Sequence, residues 1–509
     1  MFFTLTVLIL FVKITSALQC QKAKKLESEE AINHYYYPNT MLRSIIVMER
    51  QLSFSKSMII IIFILALLFV SIFLLKAEPH LPLLVTTIGT AVLLGMFGFS
   101  WKKIESAIIQ GIQTAIMPIL ILMLIGILIA VWMMSGTVPS LLYYGMDYIN
   151  PNYFAVSALY VTIIVSMFTG SSFTTVSTIG VALMGIAVTT GISPTLAAGA
   201  IISGACFGDK MSPLSDTTNF APAVAGIPLF THIRNMVYTT LPALVITTIF
   251  FLFAPKGNSI DLTSITDIKL ALQDGFHIHW LTLLSPIAVI ACSIKRVPIL
   301  PTLIVGIISG LLVTAFVQQQ TEIDVWFSVM QNGYNSNIGN EMVASIVNRG
   351  GMQSMMWSVS LILIALSLGG LIQHCGVIEA FFRKLIQPLK RKSSIVLMSG
   401  ASSIAVNGMT GEQYLSILLP GQMFKDEYNR RGIPARTLSR TLEDCGTLVN
   451  PLIPWGVSGA FFAVTLGVPV IEYAPYATFL WLSPFITFAY ALIPKLQKNS
   501  LGVDKEISR

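Results

Sequence analysis

The stretch Gly204-Ala205-Cys206-Phe207-Gly208-Asp209-Lys210-Met211-Ser212-Pro213-Leu214-Ser215-Asp216-Thr217-Thr218-Asn219 sets two carboxylates, an ammonium and a cluster of hydroxyls within a chain that is otherwise apolar. Ionisable groups at bilayer depth are costly and mark cation or proton pathways. Asp209 and Asp216, seven apart, would share one helical face, but Pro213 between them breaks the helix. The segment is therefore a membrane helix interrupted at a polar point.

Composition supports the membrane setting. Of 509 residues, 54% are hydrophobic and only 11% charged, against about 25% charged in a soluble domain; the mean hydropathy is +0.76. The net charge of +7 does not point to nucleic acid, because Lys and Arg cluster in short loops between apolar runs, as cytoplasmic loops of membrane proteins require. The five cysteines (Cys20, Cys206, Cys292, Cys375, Cys445) show no metal-ligand spacing and read as packing residues. Apolar runs of spanning length fall near 58–75, 81–98, 110–134, 236–254, 280–294, 298–317, 352–374 and 475–494. The apolar run Phe2 to Leu18 is not taken as a cleaved signal peptide, since cleavage would export Lys22, Lys24, Lys25, Arg43, Arg50 and Lys56. Residues 1–47 are either an extra anchor helix or an upstream extension before a start at Met48.

Two zones rich in Gly, Pro, Ser and Thr, 153–230 and 394–467, occupy matching places in an internal repeat. Gly111-Ile112-Gln113-Thr114 aligns with Gly351-Met352-Gln353-Ser354, and Gly136 with Gly376, both 240 apart (351 − 111 and 376 − 136). Pro194 matches Pro434, and Met211-Ser212-Pro213-Leu214 resembles Val449-Asn450-Pro451-Leu452. The loop 135–152 has no Lys or Arg, while its counterpart 375–393 has Arg383, Lys384, Lys390, Arg391 and Lys392, so the repeats should be inverted. Residues 394–423 are flanked by basic residues on both sides yet are too short for two crossings. They should form a re-entrant hairpin with its tip at Asn407 to Glu412, matched in the first half by a tip at Thr169 to Ser172.

The expected fold is thus all-α and polytopic, with two inverted-topology repeats, each containing a re-entrant hairpin and a Pro-broken transmembrane helix. Its parts are an N-terminal extension (1–57), repeat 1 (58–254), an external linker (255–279), repeat 2 (280–498) and a cytoplasmic tail (499–509). Paired helix breaks at bilayer depth point to a transporter binding site.

The motif Gly208 to Asn219, followed by Ala221-Pro222 and by Phe230-Thr231-His232-Ile233-Arg234, resembles the NhaC family of bacterial sodium/proton antiporters, over about Met58 to Lys498. The resemblance implies a multi-pass protein of the bacterial cell membrane that transports Na+ and H+ without an organic cofactor. The same family contains a malate/lactate antiporter, which leaves a Na+- and proton-coupled exchange of a small organic acid as the rival; Lys210 and half-helix N-termini would then hold the anion.

The cation/proton site is expected at Asp209, Asp216, Ser212, Ser215, Thr217, Thr218 and Asn219, with Na+ on Asp209 and Asp216 and Lys210 as charge partner. The alternative is structural: an Asp209–Lys210 ion pair, with Asp216 capping the next half-helix. Glu412, Glu443, Asp444, Asn407 and Asn450 are second-repeat candidates for the proton or the cation. Against them, Glu443 or Asp444 would pair with Arg436 or Arg440, and the Ser and Thr residues near the tips would serve helix packing. His232 and Arg234 read as anchors of a cytoplasmic turn, His374 as interfacial, and His277 with His279 as part of a solvated external loop. An intramembrane hydrolase is set aside because neither H-E-x-x-H nor G-x-S-x-G occurs. A passive channel is separated by whether a proton gradient drives Na+ uphill. A homodimer is compatible with this reading.

Overall fold

The computed structural model describes residues 52–492, apart from 76, 149–150, 256–261, 296, 337, 339–342, 345–346, 387–388 and 390. The expectations for residues 1–47, Cys20 and the tail 499–509 lie outside the described residues. Among the described residues all regular structure is helical. Six helices are long and apolar enough to cross a bilayer, and two pairs bent at a short break bring the number to eight. The chain is a multi-pass membrane protein.

The first half comprises α1 (Phe54–Leu68), α2 (His80–Met96), α3 (Trp101–Met134), α4 (Thr137–Tyr148), α5 (Phe154–Thr169), α6 (Ser172–Thr189, with a π turn inside), α7 (Pro194–Met211), α8 (Asp216–Ala225) and α9 (Leu229–Phe253). After α10 (Leu262–Gly275) come α11 (Leu284–Ile294), α12 (Ile299–Phe316), α13 (Ile323–Asn332), α14 (Met356–His374), α15 (Val377–Ile386), α16 (Lys392–Thr410), α17 (Gln413–Arg430), α18 (Ala435–Leu442, prolonged by a π turn to Thr447), α19 (Val457–Leu466) and α20 (Thr478–Leu492).

Two boundaries differ from the apolar pattern. α3 is 34 residues long and starts at Trp101 rather than near 110, because the Ser100 hydroxyl caps it and Lys102, Lys103 and Glu105 ride on its first turns. Pro118 lies inside it without ending it, as membrane helices tolerate. The linker 255–279, read as a loop, contains α10.

The order of elements is duplicated. α15 begins 240 residues after α4 (377 − 137), α16 238 after α5 (392 − 154), and α17, α18 and α19 each begin 241 after α6, α7 and α8 (413 − 172, 435 − 194, 457 − 216). The duplication extends to single bonds. Ser166 Oγ donates to the Ala205 carbonyl at 2.6 Å, and Asn407 Nδ2 donates to the Gly446 carbonyl at 2.5 Å; both partners are shifted by 241. Each hairpin tip is a glycine at positive φ, Gly170 (+66°) and Gly411 (+69°). Gly170 abuts Leu214 and Gly411 abuts the Trp455 carbonyl, again 241 apart in both members. Both helical hairpins thus press their tips against the break in the following helix. α6 is 83% buried, against 33% for α1, so this arm of the first hairpin is enclosed in protein, while α5 presents Tyr160, Ile164 and Phe168 outward.

α3 and α14 hold the halves together and run antiparallel: Gly111 lies against Leu366 and Gly370, while the Gly351 N–H, just before α14, donates to the Gly126 carbonyl at 2.7 Å. On the flank of this pair, Trp132 Nε1 donates to Ser285 Oγ and Ser285 Oγ to the Gly306 carbonyl, both at 2.7 Å, tying α3 to α11 and α12.

Candidate functional site

α7 carries small residues on the face it turns to α5. A Cβ on Gly204 would strike Thr162 and the Leu159 carbonyl, and one on Gly208 the Ile163 carbonyl and Ser166. This four-residue spacing of glycines lets two membrane helices approach at backbone distance. The close approach delivers Asp209, one residue beyond Gly208, to the tip of the first hairpin. There Asp209 Oδ2 accepts from the Ser172 backbone N–H at 3.0 Å and from Ser172 Oγ at 2.7 Å. Ser172 is the first residue of α6, whose N-terminal end favours negative charge.

The helix opens at residues 212–215, where Ser212 is extended. Most polar groups of the predicted site serve this opening. Ser212 Oγ donates to the Met167 carbonyl at 2.8 Å, and Thr218 Oγ1 donates to the Lys210 carbonyl at 3.0 Å, taking up chain ends that the broken helix leaves free. Ser215 caps α8 by accepting from the Thr218 N–H at 3.4 Å, its hydroxyl lies 3.2 Å from that of Thr217, and Asn219 Nδ2 donates to the Pro213 and Ser215 carbonyls. Asp216 is the first residue of α8 and is exposed. It stands at the mouth of the break, and Asp209 is further in.

Lys210 points away from Asp209. Its ammonium donates to Asp444 Oδ1 in an ion pair with both side chains fully buried. Asp444 Oδ2 accepts from Thr239 Oγ1 at 2.9 Å and Thr487 Oγ1 at 2.5 Å. The expected Asp209–Lys210 pair is thus replaced by one that crosses from the first repeat to the second. Glu443, next to Asp444 in the π turn, behaves differently. It is fully buried, and neither carboxylate oxygen has a hydrogen-bond partner. Lys210, Asp209 and the hydroxyls of Thr217 and Thr447 are among its polar neighbours. Arg440 pairs with neither acid through a hydrogen bond; its guanidinium lies 5.6 Å from the centre of the Tyr490 ring.

The other second-repeat candidates are fasteners. Glu412 caps α17 by accepting from the Leu415 N–H at 2.8 Å, the role Ser171 plays for Thr174 in the first half. Asn450 Nδ2 donates to Asn407 Oδ1 at 2.7 Å and to the Gly411 carbonyl at 3.0 Å, and Asn450 Oδ1 accepts from the Ser458 N–H at 2.7 Å. In the register of 241 set by the hairpin tips and helix starts, Asn450 is the counterpart of Asp209 (450 − 209 = 241) rather than of Ser212, the residue that the Ser-Pro and Asn-Pro match in the sequence pairs it with. The second half thus carries an amide where the first carries a carboxylate. Two participants were not singled out by sequence. Ser172 was counted among packing hydroxyls, and Tyr414, half exposed at the start of α17, lies within electrostatic reach of Asp209, Asp216, Glu412 and Glu443. His232 does not anchor a surface turn; it is buried in α9. No group of three or more His, Cys, Asp or Glu side chains converges among the described residues in a way that would hold a metal ion.

Two halves that each press a hairpin tip onto a broken helix, with carboxylates of both halves gathered around the first break, define a secondary transporter. Residues 204–493 match the Na+/H+ antiporter family. The chain is 51% identical over 462 residues to the Na+/H+ antiporter NhaC of Alkalihalophilus pseudofirmus, spanning 91% of this chain and 99% of that protein. It is 46% identical over 450 residues to the NhaC of Bacillus subtilis strain 168, spanning 88% and 99%. Against the malate-2H+/Na+-lactate antiporter of the same strain it is 35% identical over 407 residues, spanning 79% and 86%. The chain belongs to the NhaC family of Na+/H+ antiporters.

Proposed function

We propose that this protein exchanges Na+ for H+ across the bacterial plasma membrane by alternating access. The observation that carries this reading is Asp209: one carboxylate oxygen is held by Ser172 at the hairpin tip, and the break at residues 212–215 opens beside it. Na+ would bind Asp209 with oxygens from the break, and Asp216 at the mouth would draw cations in. Glu443, buried and unbonded, would take up the proton when Na+ leaves, so that the two ions alternate within one charge cluster. Asp444 is fully bonded as the partner of Lys210.

The inverted arrangement of the repeats belongs to the same proposal. It is supported by the antiparallel contact of the equivalent helices α3 and α14 and by the basic residues beside α16 and α17, which would face the cytoplasm. The organic-acid reading needs a free cation for the anion, whereas Lys210 is neutralised by Asp444. Reconstitution in vesicles tests the proposal: with voltage clamped by an ionophore, an imposed proton gradient should drive Na+ uphill, and radiolabelled malate or lactate should not move. Downhill Na+ flux alone, or malate and lactate exchange, would refute it.

A further inference from the structure

We infer that the seam between α9, α18 and α20 is a proton route joining the basic face to Glu443, separate from the mouth at residues 212–216 through which Na+ reaches Asp209; this rests on the exchange reading above. α9 turns His232, Asn235 and Thr239 towards α18, at spacings that share one helix face. His232 Nδ1 and Ser439 Oγ are 2.7 Å apart, Asn235 Nδ2 donates to the Arg436 carbonyl at 2.8 Å, and Thr239 donates to Asp444. From α20, Thr487 donates to the same Asp444 oxygen and Tyr490 lies against Arg440. α9 and α18 both start at the face that carries Arg234, Arg430, Arg431 and Arg436. Their polar sides meet deeper in the protein at Asp444, whose partner Lys210 neighbours Glu443.

Two side chains along this line are buried with polar atoms that make no hydrogen bond within the protein, His232 through Nε2 and Arg440 through Nε and Nη1. Glu443 at its end makes no close hydrogen bond and has the hydroxyls of Thr217 and Thr447 beside it. Buried polar atoms are nearly always bonded, and ordered water supplies the partner where protein does not. A row of such positions, between residues already linked by hydroxyl and imidazole bonds, is the arrangement a hopping proton uses. A proton taken up at one end is matched by one released at the other, and no group in the seam ends changed. His232, Ser439, Arg440 and Asp444 are each at most 1% exposed, whereas Asp216 at the break is exposed, so the two routes differ in their openness.

Vesicles containing the full chain offer two readouts. Na+/H+ exchange is followed by internal pH, and Na+/Na+ exchange, which moves no proton, by counterflow of radioactive Na+. Ser439→Ala and His232→Phe should each slow Na+/H+ exchange about tenfold, the loss of one hydrogen-bonded step, while Na+/Na+ exchange stays at the wild-type rate. His232→Gln, which keeps a polar side chain facing Ser439, should recover part of the proton-coupled rate. An equal fall in both reactions would make the seam a structural support and overturn the inference, as would unchanged Na+/H+ exchange in both variants. Ser439→Ala removes one oxygen only and keeps the test available if His232→Phe fails to insert. Absence of both reactions in the wild-type protein would instead overturn the transport reading on which the inference rests.

Discussion

Lys210 and Asp444 stand 234 positions apart, one at the end of α7 and the other in the π turn after α18, and form a fully buried ion pair that joins the two repeats. Two threonines, from α9 and α20, complete the Asp444 carboxylate. Desolvating two charges is expensive and is offset only when their bonding is complete. Here it is complete for the acid, whereas the adjacent Glu443 has no such set of bonds.

Removing one partner of this pair strands the other in an apolar interior. Lys210→Met or Asp444→Leu alone should cost about 3–5 kcal/mol, whereas the double replacement should regain most of that loss. Thermal unfolding in detergent checks this: two low midpoints and a recovered double variant are expected. A single variant with an unchanged midpoint would show that the pair carries no stability.

Asp209 and Asp216 should separate in their effects. Asp209→Asn keeps an acceptor for Ser172 but removes the charge, and should abolish coupled exchange in a normally inserted protein. Asp216, exposed at the mouth, acts through screened attraction, so Asp216→Asn should raise the KM for Na+ more at low than at high ionic strength and leave kcat near wild type. Ser172→Ala deletes the 2.7 Å bond and keeps the 3.0 Å backbone one. A charge-assisted bond contributes about 1.5–3 kcal/mol, so the KM for Na+ should rise roughly tenfold or more. Steady-state Na+ titrations in vesicles give all three answers, and wild-type exchange in Asp209→Asn would remove Asp209 from the site.

The tip glycines allow a controlled comparison. Gly411 has φ +69° and faces the Trp455 carbonyl, while Gly191 has φ +64° with nothing near its missing Cβ. Gly191→Ala should show only the strain of a left-handed residue, about 1–2 kcal/mol, with exchange intact. Gly411→Ala adds a collision with the break and should lose both more stability and most of the transport rate. Equal effects of the two would mean that contact between tip and break is dispensable.

Much of this architecture was legible because it is written in local chemistry. Pro213 and Pro451 mark the helix breaks, and the matching zones 153–230 and 394–467 mark the two helical hairpins and the broken helices that follow them. The arms of the second hairpin, Lys392–Thr410 and Gln413–Arg430, are longer than the 394–423 read from sequence. The start of α3 was obscured because Lys102, Lys103 and Glu105 look like a loop while in fact they occupy helical turns at the rim. The site was legible only as a set of residues. That Lys210 sits back to back with Asp209 follows from helix geometry, but its choice of Asp444 depends on how α7 and α18 meet. The same holds for Asn407 and Asn450, which read as cation ligands and are bonded to each other. Ser172, placed at the hairpin tip, reads as a packing hydroxyl because nothing in one sequence tells such a hydroxyl from one aimed at a carboxylate.

The proposed inversion of the repeats makes a prediction that does not depend on transport. Asn152 and Lys392 are both exposed and precede or open equivalent helices, α5 and α16. The loop 135–152 lacks Lys and Arg, whereas 375–393 holds five, and basic loops stay in the cytoplasm. The antiparallel contact of α3 with α14, which hold matching places in the two halves, agrees with that reading. Single cysteines at the two positions, in a background with the native cysteines replaced, should therefore react with a membrane-impermeant thiol reagent from opposite sides. Asn152→Cys should be labelled in intact cells and Lys392→Cys only after the membrane is opened. Labelling of both from the same side would contradict the inversion and, with it, the assignment of α9 and α18 to the cytoplasmic face.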